Sequence, residues 1–155
     1  MPSYKVHLVG GLATAAALSY VVPGHSIASW ATFAAWTGSA LLGSLFPDID
    51  TKSKGQRIFY AGLAACLLYA LATQQHNLFV GLAILSMVPV TARHRGIFHH
   101  PWFITLLVIG ALWVAPYWIR GDTFFWNMVF FAAGAYSHLI LDYGFGGFWR
   151  RLMGR

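Results

Sequence analysis

Six stretches of this chain are apolar for sixteen or more residues at a time: 6–22, 27–46, 58–73, 77–92, 102–119 and 124–142. In hydrocarbon, a backbone N–H or C=O finds its partner only within a helix or in a closed barrel. Barrel strands alternate in polarity over about ten residues, and these segments are continuously apolar. The sequence therefore predicts an all-α fold, an integral membrane helical bundle of about six transmembrane helices forming a single transmembrane domain over 1–155. Spanning takes at least about 17 residues, so the third and fourth segments are short. They are expected to form a tight helical hairpin or a re-entrant pair, and either keeps the chain ends on one side. The first segment has the look of a signal peptide behind Lys5. More apolar sequence follows it rather than a soluble domain, so it is read as a retained span.

Charge then sets the expected orientation. Charged residues are only 9% of the chain, against about 25% in soluble domains, too few to coat a water-facing surface. A net charge of +6 would suggest a nucleic-acid partner in a soluble protein. Here the basic residues lie in short loops beside apolar spans, and no nucleic acid is expected. With six spans, one face collects Lys5, Lys52, Lys54, Arg57, Arg93, Arg95, Arg150, Arg151 and Arg155, and the other has only Arg120. That asymmetry predicts a multi-pass inner-membrane protein with both termini and the basic face cytoplasmic. Small residues such as Gly10, Gly11, Gly38, Ala40 and Gly43 let helices approach closely, and Trp102, Tyr117, Trp118 and Trp126 suit interfacial belts. The lone cysteine, Cys66, excludes an intrachain disulfide and a cysteine-rich zinc site. Its expected role is packing.

Most metal-ligand residue types fall on that same face, with His25, His76 and Asp122 left on the other. In PDID, Pro47 ends a helix and Asp48 and Asp50 follow at a spacing that can aim two carboxylates at one point; a solvated acidic loop is the competing reading. In HRGIFHH, His94, His99 and His100 surround Arg95 and Gly96, and imidazole is the commonest transition-metal ligand; the competing reading is a cationic surface loop. In SHLILD, His138 and Asp142 are four residues apart, so they project from one helix face. Ionisable groups in a span are functional by default, although a packing hydrogen bond would also satisfy this pair. His7 joins them at the start of the first span. This is more than one four-coordinate metal needs, so the expectation is one or two divalent ions, with zinc or manganese suiting mixed nitrogen and oxygen donors without thiolate.

His7, LFPDID at 45–50, HRGIFHH at 94–100 and SHLILDYG at 137–144 together resemble the YdjM-like (DUF457) family, predicted membrane-bound metal-dependent hydrolases of bacteria and archaea. The resemblance runs in order along nearly the whole chain. It implies metal ligation by His7, Asp48, Asp50, His94, His99, His138 and Asp142. Phe98 departs from the pattern, which more often has Thr or Ser there.

The expected function is metal-dependent hydrolysis at the cytoplasmic leaflet, on a phosphoester or ester of a lipid or prenyl carrier. A protein-held metal with an open position can acidify bound water to a pKa of about 7. His94 is expected as ligand or acid–base, and Arg95 as the holder of an anionic substrate group, since guanidinium matches phosphate bidentately. The partner is thus a membrane lipid or lipid-linked substrate. The alternative is a non-enzymatic metal site for sensing, transport or structure, and a third reading is a scaffold whose histidines satisfy loop hydrogen bonds.

Overall fold

Each apolar segment becomes a helix. The computed structural model describes residues 3–22, 29–50, 52–91, 96–114 and 122–154, and among these there is no strand. The helices are α1 (Tyr4–Val21), α2 (Trp30–Leu45), α3 (Lys54–Ala72), α4 (His76–Thr91), α5 (Pro101–Val114) and α6 (Asp122–Leu152). Two 3-10 turns, Phe46–Asp50 and Ile97–His99, sit between α2 and α3 and before α5. Helices α3 (Lys54–Ala72) and Thr123–Leu152 are long and apolar enough to cross a bilayer; Pro101–Trp113 is apolar but shorter. Val9, Leu12, Leu68, Ile84, Leu106 and Ile109 point outward, an apolar exterior that a lipid environment accommodates and water does not.

The centre is a three-helix packing of α1, α2 and α6, with α5 against α6. Without a hydrophobic drive between helices in lipid, close approach of small residues takes over. A Cβ on Gly43 would collide with the backbone carbonyl of Phe131, and one on Gly134 with that of Ala40. The two helices thus meet backbone to backbone at two reciprocal points. Ser39 Oγ donates to Asn127 Oδ1 at 3.0 Å, and Trp36 stacks on Phe130 at 5.1 Å. Partners advance together along both helices, so α2 and α6 run parallel, the relation expected of two even-numbered helices in a chain that reverses at each connection. Gly11 of α1 faces Ser44 and the Ala40 carbonyl, and Gly10 faces Leu141.

Segments three and four form a helical hairpin. Gln74 takes a left-handed φ of 56° in its turn, and Tyr60 Oη donates to the Ser86 carbonyl at 3.0 Å across the pair. The hairpin stands at the edge of the bundle and meets it largely through the Phe46–Asp50 turn.

Two sequence expectations change, for Cys66 and for the end of the sixth segment. Cys66 is exposed on the outer side of α3 rather than packed, because that helix has few neighbours. Trp126 is half-buried against Trp36 at 5.8 Å. The sixth segment does not simply end at 142: Gly144, with φ 67° and ψ 166°, interrupts α6 and a further helical stretch follows. Tyr117 and Trp118 lie outside the described residues.

Candidate metal centre

Four elements deliver side chains to one end of the bundle. The first turn of α1 carries His7, the Phe46–Asp50 turn carries Asp48, the Ile97–His99 turn carries His99, and α6 carries His138 and Asp142. His99 Nε2 is 3.5 Å from Asp48 Oδ1 and 4.0 Å from Asp142 Oδ2. His138 Nε2 is 3.7 Å from each of the same two oxygens. His7 Nε2 lies 3.5 Å from Asp142 Oδ1, and its ring stacks on that of His138 at 3.7 Å. Donor atoms fall into two groups, His7 with His138 and Asp142, and Asp48 with His99 and His138, each within 4.8 Å.

These separations are longer than direct hydrogen bonds. A charge-assisted hydrogen bond would close to about 2.7–2.9 Å. Two donors held at about 2.0–2.2 Å by one tetrahedral ion lie about 3.3–3.6 Å apart, the lower part of the range seen here. Among the described residues, the buried Nε2 atoms of His99 and His138 have no hydrogen-bond partner, a costly arrangement for polar groups and a natural one for a ligand set. The mixture of imidazole nitrogen and carboxylate oxygen suits zinc or manganese. The residues present therefore fit a divalent metal.

His138 is oriented by the backbone. Its Nδ1 is 2.8 Å from the Ser44 carbonyl, so Nδ1–H donates and the Nε2 lone pair faces the carboxylates, the usual support for a ligating histidine. Pro47, three residues beyond Ser44, has no N–H, so the 3-10 hydrogen bond that would occupy that carbonyl cannot form. Introducing Pro47→Ala restores a competing donor. It should weaken metal affinity by about 10-fold with the helical spectrum unchanged, as read by competition with a chromophoric chelator.

The two turns are clamped together. Phe98 is buried, with its ring 5.6 Å from Phe46 and 5.2 Å from Phe103, a packing role that an aromatic side chain fills. Ser53 Oγ donates to the Asp48 carbonyl at 2.8 Å and accepts from the Gln56 N–H at 3.0 Å, joining the turn to the start of α3. Lys54 donates to Tyr4 Oη at 2.9 Å.

Asp48 is the opening of the site: its side chain is 23% exposed, against 0% for His99 and His138 and 2% for His7 and Asp142. Burial alone would raise its carboxyl; the His99 imidazole beside it and the charge available to His138 and His7 outweigh that and hold it below its ordinary 3.8. It is thus an anionic acceptor throughout the neutral range.

Five of the expected residues, His7, Asp48, His99, His138 and Asp142, are brought together. Asp50 occupies the same turn with buried carboxylate oxygens but stands in neither donor group. His94 and Arg95, with Arg93, lie outside the described residues. His100 turns away to a separate pocket, where burial, with Arg151 and His99 nearby, holds its imidazole below the ordinary 6.5. The Ser44 carbonyl was not foreseen, being backbone; Pro47 was its only trace in the sequence.

No curated protein and no solved structure significantly matches the chain. A sequence model described as YdjM inner membrane protein matches residues 1–149, which takes in every residue of the cluster. An all-α bundle with an apolar exterior and polar side chains gathered at one end agrees with that match, and the chain belongs to the YdjM inner membrane protein family.

Proposed function

We propose that the protein is a metal-dependent hydrolase of the membrane, acting at the cytoplasmic leaflet on a phosphoester or ester of a lipid or prenyl carrier. The observation that carries this reading is the convergence of buried donors at ligand-like spacing, with one partly exposed carboxylate beside them. His7, Asp48, His99, His138 and Asp142 would hold one or two ions, zinc or manganese, with the single Nε2 lone pair of His138 given to one of them. Bound there, the metal would supply Lewis-acid polarisation and a water acidic enough to serve as nucleophile near neutral pH. The chain's own part is to fix the Nε2 lone pair of His138 through Ser44, keep His99 dry, and present Asp48 as an anionic, partly exposed ligand at the opening. For the segment outside the described residues, His94 as ligand or acid–base and Arg95 as an anion holder stay part of the proposal.

The lipid part is supported by an apolar cavity of about 200 Å³ lined by Leu42, Leu45, Phe46, Ile49, Ile58 and Phe131. Ile49 lies between Asp48 and Asp50, so the turn that carries the carboxylates also walls a space fit for hydrocarbon. A site at one end of the bundle, rather than at mid-depth where transporters bind, favours an enzyme over a through-pathway. The test is turnover of a panel of phospholipid and prenyl-phosphate substrates by detergent-purified protein of verified metal content. Release of product by wild type and not by Asp48→Ala supports the assignment. Full metal occupancy with no turnover across the panel would overturn it in favour of a non-enzymatic metal site.

A further inference from the structure

Tyr143 and Arg151 are eight residues apart, which on an unbroken helix separates them by about 12 Å along the axis. Yet the Arg151 guanidinium carbon stands 4.0 Å from the centroid of the Tyr143 ring. Phe148 likewise packs against Tyr136 at 5.8 Å, although twelve residues of straight helix would cover about 18 Å. The last stretch of α6 is therefore folded back on the body of the same helix. Gly144 makes this reversal with a φ and ψ of 67° and 166°, a combination essentially restricted to glycine. Phe148 is buried with Ile104, Ala135 and Leu139, which fixes the returned segment in place.

The return builds a pocket of about 390 Å³ lined by His100, Trp102, Arg151, Leu152 and Gly154. It adjoins the metal centre from two directions. His100 follows His99 in the chain, and Tyr143 follows Asp142, with the Tyr143 ring 6.4 Å from that of His99. The Tyr143 ring thus neighbours both His99 and the guanidinium. Arg151 is held by its stacking contact, which orders the planar fork and lowers the entropy lost on gripping an anion. Trp102 is 45% exposed beside it, an indole of the kind that settles at headgroup depth.

We propose that this pocket is a phosphate-binding subsite, in which Arg151 grips a phosphate monoester by charge-assisted hydrogen bonds and His100 lines the same cavity as a second polar contact. The inference deepens the hydrolase reading and rests on it for the phosphate being part of a substrate. Its test reads binding alone, so a pocket without turnover and turnover without the pocket are told apart.

The experiment is native mass spectrometry of the full-length protein in detergent, titrated with phosphatidic acid and with phosphatidylcholine of the same acyl chains. Wild type should take up one phosphatidic acid with about 10-fold preference. Arg151→Ala should erase that preference with metal content unchanged, and Arg151→Lys should keep part of it. Arg150→Ala, which removes an equal charge from an exposed position in the same turn, should leave the preference intact. Gly144→Ala retains every pocket side chain but disfavours the reversal, so it should lower the preference even if Arg151→Ala proves unstable. Competition by millimolar orthophosphate would show that free phosphate also enters, and its failure would restrict the subsite to a lipid headgroup. Equal affinity of wild type for the two lipids, or equal losses in Arg150→Ala and Arg151→Ala, overturns the subsite.

Discussion

Replacing His138 with alanine is expected to empty the metal centre. His138 is the one side chain common to both donor groups, and its Nε2 faces Asp48 and Asp142 at equal distances of 3.7 Å. Loss of a direct ligand should exceed the roughly 10- to 100-fold cost of disturbing an outer partner. Plasma mass spectrometry on purified protein should therefore find less than a tenth of the wild-type metal. The companion variants divide the centre: His7→Ala weakens the group with Asp142, and Asp48→Ala the group with His99. Since the single Nε2 lone pair of His138 can serve one ion, His7→Ala and Asp48→Ala should each lower the metal content in part, and His138→Ala should lower it furthest. Wild-type metal retained by His138→Ala would remove the basis for a metal centre here.

The second large effect concerns the crossing of α2 and α6. Introducing Gly43→Leu or Gly134→Leu should prevent correct assembly, because the first carbon of either side chain would already overlap the facing backbone. Ordinary overpacking costs about 1–3 kcal/mol when side chains can move aside; a carbonyl in a helix has no such freedom, so the cost should exceed that range. The expected readout is loss of the monodisperse peak in size-exclusion chromatography and a strongly lowered midpoint of thermal aggregation. Gly38 on the same helix has nothing within 4 Å of its would-be Cβ. Gly38→Ala should consequently behave as wild type or slightly better, since alanine is the stronger helix former. Comparable damage from Gly38→Ala would mean that backbone contact is not what joins these helices.

Both effects trace back to how much each kind of signal says. The helices were legible because long apolar runs allow little else in a membrane, and the boundaries of the first four moved by only a few residues. Asp48, His99, His138 and Asp142 stood out because polar groups in so apolar a chain need a reason. His7 gained weight from its place at the same end. Asp50 shared that reasoning yet stands outside the donor groups, since spacing of two in a 3-10 turn sends successive carboxylates in different directions. The fold-back beyond Gly144 was invisible to an apolar-run reading, because FGGFWRR is too short to register as a segment. Its contacts are specified by Phe148 meeting Ile104 and Leu139, a tertiary matter that no local pattern encodes. Cys66 was misjudged for the same reason: an apolar neighbourhood in sequence does not distinguish a protein-facing position from a lipid-facing one.

The marginal attachment of the α3–α4 hairpin has one more consequence. The core of α1, α2 and α6 is locked by glycine contacts and interhelical hydrogen bonds, whereas the hairpin joins it chiefly through the Phe46–Asp50 turn and the Ser53 cap. Cooperative units in a protein open at free energies set by their own contacts. The hairpin is then a unit of lower local stability that can loosen while the core stays shut. Because its root is the peptide that carries Asp48, such loosening would reach that carboxylate first and leave His138, anchored on the core, where it is.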